Sequence, residues 1–296
     1  MKNEIVEYML RGRWMDIKRF VTSDIRRAVI HNKYRILLCA GIISALMITF
    51  YTYAAVNPSI KDAGLVVSFY DYILYMIRGS VRVTTQNINK LEIPYVWISL
   101  CIMNGIMVLD YMYNDCRGIG RNVLVYSNKK SVWWLSKCVT TAVSVSIVYI
   151  LIYLSAMIFA IIGKGGMSGI HTEVFRILYP KDTALMTPDM VNGMSVSLLV
   201  YVVLFPWIIS VSIGLFQLTL CLYTGPVLSF VIIIMLEGLS VFSNNILLPG
   251  NWLMAERSSI LAYKGHNIYI MLLMSVILGI ISVIAGNIKF KKSDIL

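Results

Sequence analysis

One uninterrupted apolar stretch limits this chain more than any other feature. From Met194 to Phe242, 49 residues carry a single charge, Glu237. A bilayer-crossing helix needs about 20 apolar residues, so one helix through all of this stretch would be more than twice too long. The stretch must therefore fold back, and Thr224-Gly225-Pro226 is its only strong breaker. A soluble domain has about 25% charged residues, whereas this chain has 14% and is 58% hydrophobic. We therefore expect an all-α, multi-pass membrane protein.

Six spans are predicted, at about 36–56, 94–109, 138–162, 194–222, 226–242 and 268–287, making 36–287 a six-helix transmembrane domain. Leu65 to Ile77 is apolar apart from Asp71 but too short to cross, and is read as an interfacial or re-entrant piece of an exterior loop. Of the Lys and Arg residues, nine lie in 1–35, five in 110–137 and three in the tail 288–296. The other loops are nearly neutral. The positive-inside rule then places 110–137 and both termini in the cytoplasm and 163–193 outside, in a plasma membrane. With the basic residues split this way, no single basic domain exists to grip phosphates, which argues against nucleic acid as a partner.

Ahead of the first span, Trp14, Ile17, Val21, Ile25 and Ala28 recur at helical steps, with Lys18, Arg19, Arg26 and Arg27 on the opposite face. This pattern predicts a basic amphipathic helix within 1–35, lying among the inner lipid headgroups. No cleavable signal peptide is expected, because the first apolar run begins at Ile36 behind an acid-containing segment and is too long for one. Cys39, Cys101, Cys138 and Cys221 lie in or beside apolar runs and Cys116 in an inner loop, and no C-x-x-C occurs. Neither a disulfide framework nor a zinc site is expected.

Several catalytic patterns fail on context. Gly166-Met167-Ser168-Gly169 matches the G-x-S-G of rhomboid-like proteases, but its Ser lies in an exterior loop and no His lies in a span, so a flexible loop is expected there. His31, His171 and His266 lack ligand spacing. Gly118-Ile119-Gly120 lacks the third glycine and the preceding strand of a dinucleotide site. There is no G-x-x-x-x-G-K-[ST], so the chain has no P-loop of its own. We expect no catalytic residue, metal or directly bound cofactor.

The inner loop 110–137 is richer than a linker requires. Asp110 and Asp115 precede Arg117-Gly118, then Val123, Leu124 and Tyr126 sit among Arg121, Lys129 and Lys130. Trp133, Trp134 and Lys137 lead into the third span as interfacial anchors. This layout resembles the permease subunit of type-2 ABC exporters. Ser23-Asp24-Ile25-Arg26-Arg27-Ala28, continuing through Asn32-Lys33, resembles that family's entry helix, and Leu248 to Arg257 resembles the exterior segment its Gram-positive members carry before the last span. The family often has Glu where Asp110 and Asp115 stand.

The resemblance implies a dimer, with a second copy or a related permease, docked on two ABC ATPase subunits that bind ATP and Mg. It also implies that the first cytoplasmic loop is a coupling helix, with Arg117, Gly118, Arg121, Val123, Leu124 and Tyr126 as coupling residues. Glu237, the one intramembrane carboxylate, is the translocation-path candidate. The small exterior loops favour an amphiphilic substrate, a peptide (such as an antimicrobial peptide) or a lipid-like molecule. The alternatives are a secondary transporter and a membrane scaffold or sensor subunit, which an adjacent ATPase gene would disfavour.

Overall fold

A computed structural model of the chain describes residues 21–30, 32–81, 83, 93–109, 111, 130–178, 196–259, 261–262 and 265–292. The described residues form helices and connecting turns, with one isolated bridge between Ser258 and His266. In chain order the helices are α1 (21–30), α2 (Lys33–Val56), α3 (Pro58–Asp62), α4 (Phe69–Ile77), α5 (Tyr95–Val108), α6 (Lys130–Ile162), α7 (Thr172–Leu178), α8 (Val196–Thr224), α9 (Pro226–Phe242), α10 (Pro249–Leu253) and α11 (Ile268–Lys292), with a 3₁₀ turn at Ala255–Arg257. Four helices, within α2, α6, α8 and α11, are long and apolar enough to cross a membrane. α5 and α9 are apolar but shorter, at 14 and 17 residues.

Local chemistry sets the breaks. Asn57 ends α2 and caps α3 by accepting from the Ser59 amide, with Pro58 in the first turn. The long apolar stretch breaks at Gly225, whose φ of +84° suits glycine, and Pro226 opens α9. α4 starts with a capping box, in which the Ser68 hydroxyl accepts from the Asp71 amide and the Asp71 carboxylate from the Ser68 amide.

Three expectations gain detail. α6 is helical from Lys130 and α11 to Lys292, so both helices extend beyond the crossings expected at 138–162 and 268–287. A helix does not stop where its apolar run does, so the polar flanks wind on. In the segment expected as interfacial or re-entrant, every α4 residue but Tyr70 is buried in protein. In α1 the buried residues are Asp24 and Ala28, while Val29 and Ile30 are exposed. The helix therefore docks a face containing an acid, not only an apolar stripe; Trp14, Ile17, Lys18 and Arg19 lie outside the described residues.

Contacts fix the helix directions. Arg35 of α2 donates to the Ile106 carbonyl late in α5 at 3.2 Å, and Tyr51 meets Phe159 near the ends of α2 and α6. Tyr149 and Tyr153 of α6 donate to the carbonyls of Pro206 and Val203 at 2.9 and 2.6 Å, so α6 and α8 are antiparallel. Pro206 lies inside α8, where its ring removes a helical N–H, and the two tyrosines grip the backbone around it. α8 and α11 run parallel, with Ser212 beside Gly279 and Thr219 bonded to the Ser282 carbonyl at 2.8 Å. Thus α2, α6 and α9 point one way and α5, α8 and α11 the other. The starts of α2 and α6 and the end of α11 form one basic end, with Lys33, Arg35, Lys130, Lys137, Lys289, Lys291 and Lys292.

Small residues allow the close approaches. Ser275, Gly279, Ser282 and Gly286 line the buried face of α11 at helical spacing, a small-residue seam against α8 and α6. A Cβ on Gly286 would sit 2.0 Å from the Trp134 ring, so the indole occupies the space a side chain would take.

The opposite end is closed by Arg257, which is 2% exposed. Its guanidinium donates to the Ser240 carbonyl and to Val241 and Ser243 at the end of α9, to Asn251, and to the Ser80 carbonyl and hydroxyl. A cation there also complements the carbonyl end of the helix. Arg78 pairs with Glu256 at 2.5 Å alongside. Arg257→Lys keeps the charge but cannot reproduce the planar fork, and is expected to cost about 2–3 kcal/mol through unsatisfied buried carbonyls. Thermal unfolding in detergent checks this: wild-type stability of the variant would show that charge alone holds the cap.

Candidate functional site

Glu237 turns into the bundle and is buried. It faces α5, where Trp97, Cys101 and Asn104 recur on one face, and the Cys101 thiol hydrogen-bonds to it. One turn on, the Gly105 backbone accepts from Gln217 of α8 at 3.0 Å. A Cβ on Gly105 would stand 2.8 Å from the Phe230 ring, so α5 and α9 cross closely here. Asn104 donates to the Ser210 hydroxyl at 3.4 Å, and Ser210 bonds the Tyr149 hydroxyl at 2.8 Å. The result is a polar seam among α5, α6, α8 and α9, inside an otherwise apolar interior.

The seam is not internally satisfied. Among the described residues, Glu237 Oε2, Asn104 Oδ1 and Trp97 Nε1 are buried without a hydrogen-bond partner. An acceptor left bare in an apolar interior costs free energy until it meets a proton, a donor or water. Two bare acceptors and one donor on the facing sides of α5 and α9 can take up a proton or the polar part of a solute.

At the basic end stands a buried ion pair that the sequence does not announce. Lys137 Nζ lies 2.8 Å from Asp24 Oδ2, with the side chains 0% and 2% exposed. Ser136 donates to the same oxygen at 2.6 Å, Arg27 reaches Oδ1 at 2.5 Å, and the Tyr111 hydroxyl donates to the Asp24 carbonyl at 3.0 Å. Trp133 and Tyr111 place their rings within 5 Å of the ammonium, at 4.7 and 4.9 Å. The neighbouring turn is fixed to α11: Trp133 stacks on Phe290 at 4.7 Å, and Trp134 donates to the Val283 carbonyl at 2.9 Å.

Lys137, expected as an interfacial anchor, is instead interior. The one signal for this in the sequence is Asp24, the single acid between Ile17 and Asn32 in an otherwise basic entry segment. Arg117, Gly118, Arg121, Val123, Leu124 and Tyr126 lie outside the described residues; the flanks of their loop, Tyr111 and Lys130–Lys137, are the residues gathered here. Both flanks therefore join one network with α1, α6 and α11.

Among the described residues, no group of three or more His, Cys, Asp or Glu side chains is placed to hold a metal. No protein-family model, no curated protein and no solved structure matches the chain.

Proposed function

We propose that the chain is the permease subunit of an ATP-driven exporter of the type-2 ABC class. Two permeases, this chain with a second copy or a related one, would sit on two ATPase subunits that bind ATP and Mg. The carrying observation is the buried Asp24–Lys137 network: it ties both flanks of the inner loop 112–129 to α1, α6 and α11. A push on that loop would therefore reach several helices together. Six apolar helices alternating in direction, with the basic residues at one end, support six crossings with both termini in the cytoplasm. The polar seam at Glu237 is suited to a solute carrying both apolar and hydrogen-bonding parts, such as an amphiphilic peptide or lipid-like molecule.

The deciding experiment is purification of the tagged chain from its native membrane. A co-purifying P-loop ATPase, stimulated in proteoliposomes by an amphiphilic peptide or lipid-like compound, supports the proposal, and its absence rejects it. Orientation is tested separately. In a background with Cys116 replaced by Ser, cysteines at Ser127 and Ser168 are expected to react with an impermeant maleimide from opposite sides of the membrane. Same-side labelling would overturn the six-crossing topology.

The unpartnered Glu237 oxygen favours one further reading, a proton-coupled secondary transporter. Gradient-driven uptake by the chain alone, without ATP, would select it.

A further inference from the structure

We propose that Ser168, His171 and Asp71 form an acyl-transfer site for carboxylic esters, at the end of the bundle opposite the basic one. The chain separates Asp71 from the other two by about a hundred residues, and folding brings them together. His171 Nδ1 lies 3.0 Å from Asp71 Oδ2, and the His171 amide donates to Asp71 Oδ1 at 2.9 Å. The carboxylate is fully buried and also accepts from the Ser68 amide at 2.8 Å. It therefore cannot swing away, and it holds the ring proton on Nδ1. Nε2 is left as the basic nitrogen, 3.4 Å from the Ser168 hydroxyl. That hydroxyl can also donate to the Gly165 carbonyl at 2.8 Å, so the serine–histidine contact has room to tighten when a substrate displaces the competing bond.

The loop is shaped for this arrangement. Gly165 presses on the backbone of residues 67–68, where a Cβ would meet the Val67 carbonyl oxygen at 1.9 Å. The Phe69 amide donates to the Gly166 carbonyl at 3.0 Å, and the Ser68 hydroxyl donates to the Gly169 carbonyl. With φ of +57° and +105°, Gly166 and Gly169 turn the chain sharply on either side of Ser168, which is exposed. Among the described residues, neither the Ser168 nor the Gly169 amide has an acceptor, so both can receive a developing oxyanion. The G-x-S-G that lacked a base in the sequence thus gains both a base and an orienting carboxylate.

The reaction is a balanced acyl transfer. Ser168 Oγ attacks the ester carbonyl carbon while its proton passes to His171 Nε2, and the carbonyl π electrons move onto oxygen. Collapse re-forms the carbonyl, breaks the bond to the alcohol oxygen and returns the proton to the departing alkoxide. Water, deprotonated by the same nitrogen, then releases the carboxylic acid and restores the serine. An ester fits better than an amide, because its alcohol leaves readily from an open loop that offers little other stabilisation. Exposed Met167, with Ile161 and Ile162 at the end of α6, favours an apolar acyl chain at the membrane surface.

The pair titrates in a way the test can read. Its hydrogen bond to Asp71 raises His171 from its usual 6.5, partly offset by burial of the ring. Burial pushes the Asp71 carboxyl up, while the bonds from His171 and Ser68 pull it back. Of the other charged groups nearby, Lys61 and Asp62 of α3, Lys164 of the loop and Glu173 of α7 are exposed to solvent. Only the neutral imidazole accepts the serine proton, so reactivity is expected to rise with pH through a pKa above 6.5.

The test is labelling of the full chain, in membranes, by an alkyl fluorophosphonate, with the adduct located by mass spectrometry. The expected result is an adduct on Ser168, absent in Ser168→Ala and slowed by at least about tenfold in His171→Gln and Asp71→Asn. Because Asp71→Asn also touches the cap of α4, His171→Gln and the rise with pH are the decisive readouts. No adduct on wild-type Ser168, or labelling that ignores both His171→Gln and pH, overturns the proposal. Labelling needs neither ATP nor a partner, so its failure would leave the transport proposal standing.

Discussion

If the chain is the exporter subunit proposed above, Leu124→Asp is expected to abolish transport and substrate-stimulated ATP hydrolysis while the chain remains folded in the membrane. The chain carries no P-loop, so in an ATP-driven complex the power stroke must arrive through a cytoplasmic surface that another protein grips. The turn at Thr224-Gly225-Pro226 is too short to offer more than a small contact. The loop between Tyr111 and Lys130 is long enough, and its flanks are fastened to the bundle through Asp24 and Lys137. One leucine anchor seated in a partner's groove contributes about 2 kcal/mol, and a carboxylate there would add a desolvation cost on top of the lost contact. Lys129→Ala, which removes a charge and no apolar anchor, is expected to be mild. Normal transport by Leu124→Asp would move the coupling surface elsewhere and remove the main support for an ATPase partner.

Lys137→Met is expected to destabilise the protein by about 2–3 kcal/mol, because it leaves Asp24 buried with only Arg27 of its two cations. The loss should appear as reduced amounts in the membrane and a lower unfolding temperature in detergent. Asp24→Asn combined with Lys137→Met removes both charges and keeps an oxygen for Ser136 and Arg27, so it should recover more than half of that loss. If the two losses add instead, the pair is not coupled, and α1 and the basic end of α6 are held by apolar packing alone.

The parts of this fold that can be read in the sequence rest on local chemistry. The break at Gly225 needs only a glycine and a proline inside an apolar run too long for one crossing. Glu237 stands out because a carboxylate among so many apolar residues has few places to go. Lys137 does not, since a lysine at the start of a span reads as an interfacial anchor whether it faces phosphates or a buried aspartate. The start of α6 escapes for a related reason, as hydropathy reports where a membrane begins and not where a helix does. Arg257 and Asp71 are invisible as organising residues because their partners lie in distant segments: Ser80 for one, His171 for the other. Periodicity carries no information about such pairings.

α6 has 33 residues, about 50 Å of helix against a hydrocarbon core of about 30 Å. Its tyrosines Tyr149 and Tyr153 bond to α8 around the backbone that Pro206 interrupts, and Ser146, Val145 and Thr141 continue the contact toward its base. Were the contacts below it to slide, that clasp would act as a fulcrum. From Tyr149 back to Lys130 the helix is a lever arm of about 28 Å. Tilting it by about 10° would carry its base about 5 Å sideways, close to one helical pitch. Trp133 and Trp134 would pass that displacement to α11, whose face toward α8 carries small residues. A modest torque at the membrane surface would thus become a sliding of helices at the depth of Glu237.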